Sequence, residues 1–328
     1  MTFNKKILII ILISANFQNL HSQKNYELKL NNKLYYRDSL QLKGNYAESI
    51  KQNLKILDTV SNKTKLLYNI AINYSILNQT DSAFYYLNMF LDSSEDDKMV
   101  IVDKGFENLQ KDTFSWNKII NKIENRYLIL LDSSKNKEVA LQLFYMIIYD
   151  QIDLFLYAQG IRDGDKNSIF VDSLFKIKWQ NYPKLEKIIS EFGFPTISKV
   201  GRYASNAAFL TLQHAPIWHY PKKYYKMVQT AFYNKDFDSI SYAMLTDRWL
   251  MHHNKKQIWG TQWYFSSKNQ KKYPDKILLH PVKDFKNLNK RRKEMGFKET
   301  IEEYANNREN HYILPEFYKG RSKWSLFR

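Results

Sequence analysis

An internal repeat restricts the fold of this chain more than any other feature of its sequence. Residues 44–58, GNYAESIKQNLKILD, superpose without a gap on residues 78–92, NQTDSAFYYLNMFLD, at a spacing of 34. A fixed period of that length is the mark of stacked helix pairs, in which each unit buries its apolar face on the next. Gly44 aligns with Asn78, Ser49 with Ala83, Ile50 with Phe84, Ile56 with Phe90, Leu57 with Leu91 and Asp58 with Asp92. Small residues thus fall where two helices touch, and large apolar ones where a neighbour stacks. Each copy follows an amphipathic stretch, Leu34 to Leu42 and Leu66 to Leu77, so the unit is helix-turn-helix. A third, degenerate unit runs through Phe106, Leu109, Phe114, Trp116 and Ile120.

With Gly44 in the turn, Tyr46, Ser49 and Ala83 at packing positions and Tyr68, Tyr74 and Tyr85 as aromatics, residues 24–131 resemble the tetratricopeptide repeat. The resemblance implies an arm that binds a protein or peptide. A spacer or packing arm is the competing reading. Two and a half units are short of a free-standing solenoid, so the arm is expected to pack on the C-terminal domain.

From residue 136 the helical period persists but the repeat stops. The spacing predicts helices near 137–159, 183–192, 203–214, 221–234 and 238–253, with Pro183 in a first turn. Alternation then predicts strands over Gln257–Phe265 and Lys276–Val282, forming a two-stranded β-hairpin within about 257–282. Two helical pieces come next, 287–295 and 299–306, before a basic tail. The expected fold is mainly α: a short helix-turn-helix repeat arm packed on an α-helical domain, residues 136–328, with a small hairpin. With 44% hydrophobic and 16% aromatic residues the chain can bury ordinary cores.

The N-terminus has Lys5 and Lys6, then the apolar run Ile7–Ile13, then Leu20-His21-Ser22. That order reads as a signal peptide over residues 1–22, and predicts a periplasmic or secreted protein of the bacterial envelope. The run is about half the roughly 20 residues of a membrane-spanning helix, so no transmembrane anchor is expected. No Cys is present, which excludes disulfides, thiolate catalysis and cysteine metal sites. With nine Gly in the chain, neither a phosphate-cradling loop nor a dinucleotide fingerprint is found, and no cofactor is expected. His252 and His253 are adjacent, and His214 and His219 flank Pro216, so no metal site is expected. The formal charge is +17, and residues 136–328 carry 32 Lys+Arg against 19 Asp+Glu. Such a surface attracts anions, and export favours an acidic or anionic envelope component over nucleic acid. The run Lys290–Lys293 reads as a solvated helix face.

Several strings of this half occur in a set order: Asp150-Gln151; Glu191-Phe-Gly-Phe-Pro195 with Val200-Gly201; Leu212-Gln-His-Ala215; Leu245-Thr-Asp-Arg248; Gln257-Ile-Trp-Gly-Thr-Gln262; and Lys290-Arg-Arg-Lys-Glu-Met-Gly296. Together they resemble the uncharacterised family named domain of unknown function 6624, over roughly residues 136–308. Pro216 stands where the family pattern suggests an aspartate, and Trp259 where it suggests a tyrosine. The resemblance implies no known reaction.

Projection onto helices places three polar side chains in line with apolar stripes: Gln151 with Ala140, Leu143, Phe144, Ile147 and Leu154; His214 with Ala207, Leu210 and Thr211; Asp247 with Ile240, Ala243, Met244, Leu250 and Met251. All three are expected to point inward and therefore to need partners, since an unpaired buried polar group is costly. Gln257 and Gln262, an odd number apart, are expected on opposite faces of a strand. One reading makes His214 a general acid or base and Asp247 its orienting carboxylate. Gln151, Gln213, Arg248, Gln257, Thr261 and Gln262 then hold an anionic or carbonyl-bearing substrate of a hydrolase. The other reading makes the same residues a satisfied buried network inside a binding module, and is preferred.

Overall fold

The computed structural model describes residues 38–94, 97–129, 131–132, 134–151, 168–215, 222–264, 277–307 and 312–314, with the backbone alone at 168–179, 264 and 312–313. Residues 1–22, where a signal peptide is expected, and Leu34, Leu154, Pro216, His219 and the basic tail lie outside these residues. The helices are α1 (Ser39–Leu42), α2 (Tyr46–Leu57), α3 (Thr64–Ile76), α4 (Thr80–Ser93), α5 (Glu107–Gln110), α6 (Thr113–Ile129) and α7 (Lys137–Asp150). They continue as α8 (Ser168–Phe192), α9 (Ile197–His214), α10 (Lys222–Tyr233), α11 (Ser239–His252), α12 (Leu288–Met295) and α13 (Ile301–Asn306). Three short strands, β1 (Trp263–Tyr264), β2 (Ile277–Leu279) and β3 (Tyr312–Ile313), complete a mainly helical chain. No helix among the described residues is long and apolar enough to cross a membrane.

The chain divides into two compact units: Lys29–Lys184 with Lys199–Ala204, and Leu185–Ser198 with Ser205–Arg328. In the first, α2 and α4 begin 34 residues apart, at Tyr46 and Thr80, and their entry turns are alike in detail. Gly44 and Asn78 both adopt positive φ, +77° and +57°. The backbone bonds match as well: Gly44 N to Gln41 O and Asn45 N to Leu40 O in one turn, Asn78 N to Ser75 O and Gln79 N to Tyr74 O in the other. Glycine and asparagine are the residues that enter this left-handed region at least cost, which is why the aligned pair can close the same turn. Ser49 and Ala83, aligned in sequence, are both fully buried.

Polar bonds stitch the first helices together. Asp38 caps α1 and accepts from Ser49 Oγ at 2.6 Å and Asn53 Nδ2 at 3.2 Å. Asn73 on α3 donates to Ser49 Oγ at 2.8 Å and accepts from Gln41 Nε2 at 2.8 Å. At the far end of this group, Phe106 and Leu109 enter the core, whereas Phe114 is exposed. Arg126 on α6 donates to Asp97 and Ser94 O and to Leu91 O, tying α6 to the end of α4.

Helix α7, which the sequence groups with the C-terminal domain, lies in the first unit. Tyr127 on α6 stacks on Phe144 with ring centroids 4.7 Å apart, and its hydroxyl donates to Ala140 O. Asn136 N donates to Lys199 O at 2.8 Å, and a Cβ at Gly201 would lie 2.4 Å from Leu131 Cδ2. Gly201 breaks α9 locally at φ 82°, ψ 161°. Pro183 stands inside α8 rather than in a first turn, and it is exposed.

In the second unit α10 and α11 pack through aromatic stacks, Phe232 on Tyr242 at 4.0 Å and Tyr225 on Trp249 at 4.6 Å. The expected strand pairing is present, with Trp263 opposite Leu279 in an antiparallel pair. A third strand extends it, because Ile277 and Leu278 pair in parallel with Tyr312 and Ile313. Leu279, Val282, Leu288 and Ile301 form the core beneath this sheet.

Candidate functional site

The second unit is organised around one carboxylate. Asp247 on α11 is fully buried, and its two oxygens are used by the segment 258–261. Oδ1 accepts from Ile258 N at 2.6 Å and Trp259 N at 3.2 Å. Oδ2 accepts from Trp259 N, Thr261 N and Thr261 Oγ1, each at 3.1 Å. Burial pushes the carboxyl up to about 6, against the lowering effect of these donors.

The carbonyls of Ile258 and Trp259 go to two arginines of α12. Arg291 Nε donates to Ile258 O at 3.1 Å, and Arg292 Nη1 donates to Trp259 O at 2.9 Å. Arg292 is only 2% exposed, donates also to Glu299 O, and has Phe297 and Tyr304 against its guanidinium. The expected solvated face of Lys290–Lys293 is therefore corrected: four consecutive charges do spread around a helix, but the two arginines land on the buried side.

Gln257 closes the base of the loop. Its Nε2 donates to Gln262 O at 3.0 Å and His280 O at 2.7 Å, and its Oε1 accepts from Gln262 N at 2.9 Å. Gln262 Nε2 reaches Met244 O on α11 and Thr261 Oγ1. The expectation that Gln257 and Gln262 face opposite ways fails because 258–262 is a turn, not a strand. Gly260 takes φ +70° there, with Leu288 and Ile301 at 3.3 and 3.2 Å from where a Cβ would be. Gln257 pairs instead with Val282 as an isolated parallel bridge.

His214 and Gln151 do not join this cluster as expected. His214, the last residue of α9, is exposed. The buried face of that helix centres on Ala204, Ala208, Thr211 and Ala215, so His214 lies at its margin and the adjacent Gln213 is the buried residue. Gln213 Oε1 has no hydrogen-bond partner among the described residues. Gln151 caps the end of α7 in the first unit, half-buried, and donates to Asp150 at 2.8 Å. Asp150, not Gln151, is the buried polar residue there, because the helix ends one residue earlier than the inward position requires.

Sequence reasoning left out His280 and passed over His252. Arg248 and His252 are four residues apart on α11 and so share a face, which also carries Met244. Because Gln262 is bonded to Met244 O and His280 N donates to Gln262 O, that face lies by the end of the central strand β2, which His280 follows. Arg248, His252 and His280 are all half-buried. Burial, then the charges of Arg248, His253 and His280, push His252 down to about 4; burial pushes His280 down to about 4. The spacing of four from Arg248 to His252 was the available signal. No cluster of three or more His, Asp or Glu placed to hold a metal ion occurs among the described residues.

The fold and this site define a mainly helical protein whose second unit holds a rigid, ion-clamped loop beside a small mixed sheet. The chain belongs to the family of unknown function DUF6624, which it matches over residues 145–315. No curated protein and no solved structure matches it.

Proposed function

We propose that this chain is an exported binding protein of the bacterial envelope, with a tetratricopeptide-like arm that holds a protein or peptide. Export rests on Lys5, Lys6, the apolar run Ile7–Ile13 and the small residue Ser22. The observation that carries binding is a solvent-facing tyrosine group on the arm. Tyr74 of α3 stacks on Tyr86 of α4 with ring centroids 5.5 Å apart, Tyr85 meets Tyr86 edge-on, and Tyr85 is 61% exposed. Rigid aromatics with a polar tip supply contact area at low entropic cost, and they are enriched at interfaces. The net positive charge of residues 136–328 favours an anionic component as a further partner, and export favours an envelope component over nucleic acid.

A hydrolase centred on His214 and Asp247 draws less support, since the carboxylate is occupied by loop donors and the histidine is exposed. The test is site-specific photocrosslinking in cells, with the probe at Tyr85 and, as control, at Lys222 on α10. A discrete adduct at position 85 that the control lacks is expected. Equal adducts at both positions, or none, overturn the binding role of the arm. Fractionation of the same cells checks export: a periplasmic or secreted product lacking residues 1–22 is expected, and an intact cytoplasmic chain refutes it.

A further inference from the structure

Three basic side chains converge in the second unit, and one of them holds a donor that the fold does not use. Arg248 is half-buried, its Nε is buried without a hydrogen-bond partner, and no carboxylate pairs with it among the described residues. An arginine donor withdrawn from water and left unused is costly, so its retention asks for an occupant. Its sequence neighbour Asp247 cannot serve, because it projects about 100° around α11 and its oxygens are committed to the loop. His252 stands one turn along the same face. His280 approaches from the sheet, held by His280 N to Gln262 O at 3.0 Å and Gln257 Nε2 to His280 O at 2.7 Å.

We propose that Arg248, His252 and His280 form a binding site for a phosphate group, either inorganic phosphate or a phosphate monoester. A guanidinium offers two parallel donors to two oxygens of one anion, and two imidazoles on different elements can each present an N–H to a third oxygen. A tetrahedral oxyanion fits donors arriving from a helix and from the end of the central strand β2 better than a planar carboxylate does. The surrounding structure suits such a role. The loop that sets His280 is locked by Asp247, Arg291, Arg292 and the Gln257–Gln262 clasp, so donors are placed before any ligand arrives. Partial exposure of all three residues lets a ligand in from solvent.

The site also couples binding to protons. Burial first, and then Arg248 and His253 on α11 and His280 after β2, disfavour protonation of His252, and burial does the same for His280. Both imidazoles are therefore neutral at pH 7 in the free protein. An anion between them raises their proton affinity, so binding takes up protons from the buffer.

The experiment is titration of the full chain with inorganic phosphate and, separately, with glycerol 3-phosphate, followed by imidazole NMR resonances and by calorimetry in two buffers of different ionisation enthalpy. Saturable shifts at the His252 and His280 resonances, with net proton uptake below pH 7, are expected. The tighter of the two probes names the source. Arg248→Gln is expected to weaken binding by tenfold or more, and His252→Gln by several-fold, with far-UV circular dichroism unchanged. Absence of saturable shifts with both probes, or binding by both variants equal to that of the parent, overturns the site. These outcomes are independent of the crosslinking result at Tyr85, because Tyr85 belongs to the first unit and all three site residues to the second.

Discussion

Replacing Asp247 with Ala removes the acceptor of three backbone N–H groups and one hydroxyl in a single step. Thr261 Oγ1 can turn away, since it already accepts from Gln262 Nε2, but the N–H groups of Ile258, Trp259 and Thr261 cannot. Each orphaned buried donor costs about 1–3 kcal/mol, which gives about 3–9 kcal/mol before any relief. Removing a buried charge returns part of that, and a water entering the vacated space returns more. We therefore expect a loss of about 3–5 kcal/mol in urea unfolding monitored by tryptophan fluorescence, with Trp259 and Trp263 reporting on the loop itself. Such a loss is a large share of the stability of an ordinary domain. Amide exchange at positions 258, 259 and 261 is expected to become fast while that of α2 and α3 stays slow. A loss below about 1 kcal/mol, or unchanged protection at those three amides, refutes the clamp.

The same contacts set the expected cost of three other substitutions. Arg292→Lys is expected to cost about 2 kcal/mol by thermal melting, because an ammonium cannot reach both Trp259 O and Glu299 O from one planar head; a neutral result sinks that account. Gly201→Ala is expected to lose about 2–4 kcal/mol, since φ 82°, ψ 161° admits essentially glycine alone and Leu131 must move. Gly296→Ala is the comparator, expected to lose about 1 kcal/mol at a left-handed helix cap with no neighbour closer than Ser239 Oγ at 3.6 Å; equal losses at the two sites refute the steric part.

Acidification acts through two opposed groups. His252 and His280 lie below their ordinary value in the folded protein, so the unfolded chain gains protons first and stability falls from about pH 6.5 down to about 4. Asp247 lies above its ordinary value, at about 6 against 3.8, so the folded state holds a proton that the unfolded chain releases, and stability rises as pH drops through that window. Unfolding midpoints between pH 7 and 4 are expected to fall in the parent, to fall more steeply in Asp247→Asn, and to flatten in the His252→Gln, His280→Gln double variant. Parallel curves for all three proteins refute the assignment.

The mainly helical class, the 34-residue period and the aligned turn residues Gly44 and Asn78 were legible in the sequence, because helix periodicity and left-handed turn positions are local properties. So was the inward position of Asp247, which apolar neighbours at helical spacing fix without reference to another element. The margin position of His214 was harder to read: a helix end has few residues left to define its buried stripe, and a shift of one position moves a side chain by about 100°. Alternation does not hold between Gln257 and Gln262, because Gly260 takes positive φ and 258–262 is a turn that precedes β1.

Sequence alone therefore determined which strings matter: Leu245–Arg248, Gln257–Gln262 and Lys290–Gly296 are the strings that carry the buried loop. Only tertiary structure decided that they are one object, an aspartate taking the loop's N–H groups and two arginines taking its carbonyls. The physical reason is separation along the chain. Asp247 and Arg291 act on the same peptide, Ile258–Trp259: Asp247, 12 residues before Trp259, takes its N–H, and Arg291, 33 residues after Ile258, takes its carbonyl. No local pattern encodes which distant charge will satisfy a backbone group. Folding does, because a buried peptide must have both of its polar atoms paired.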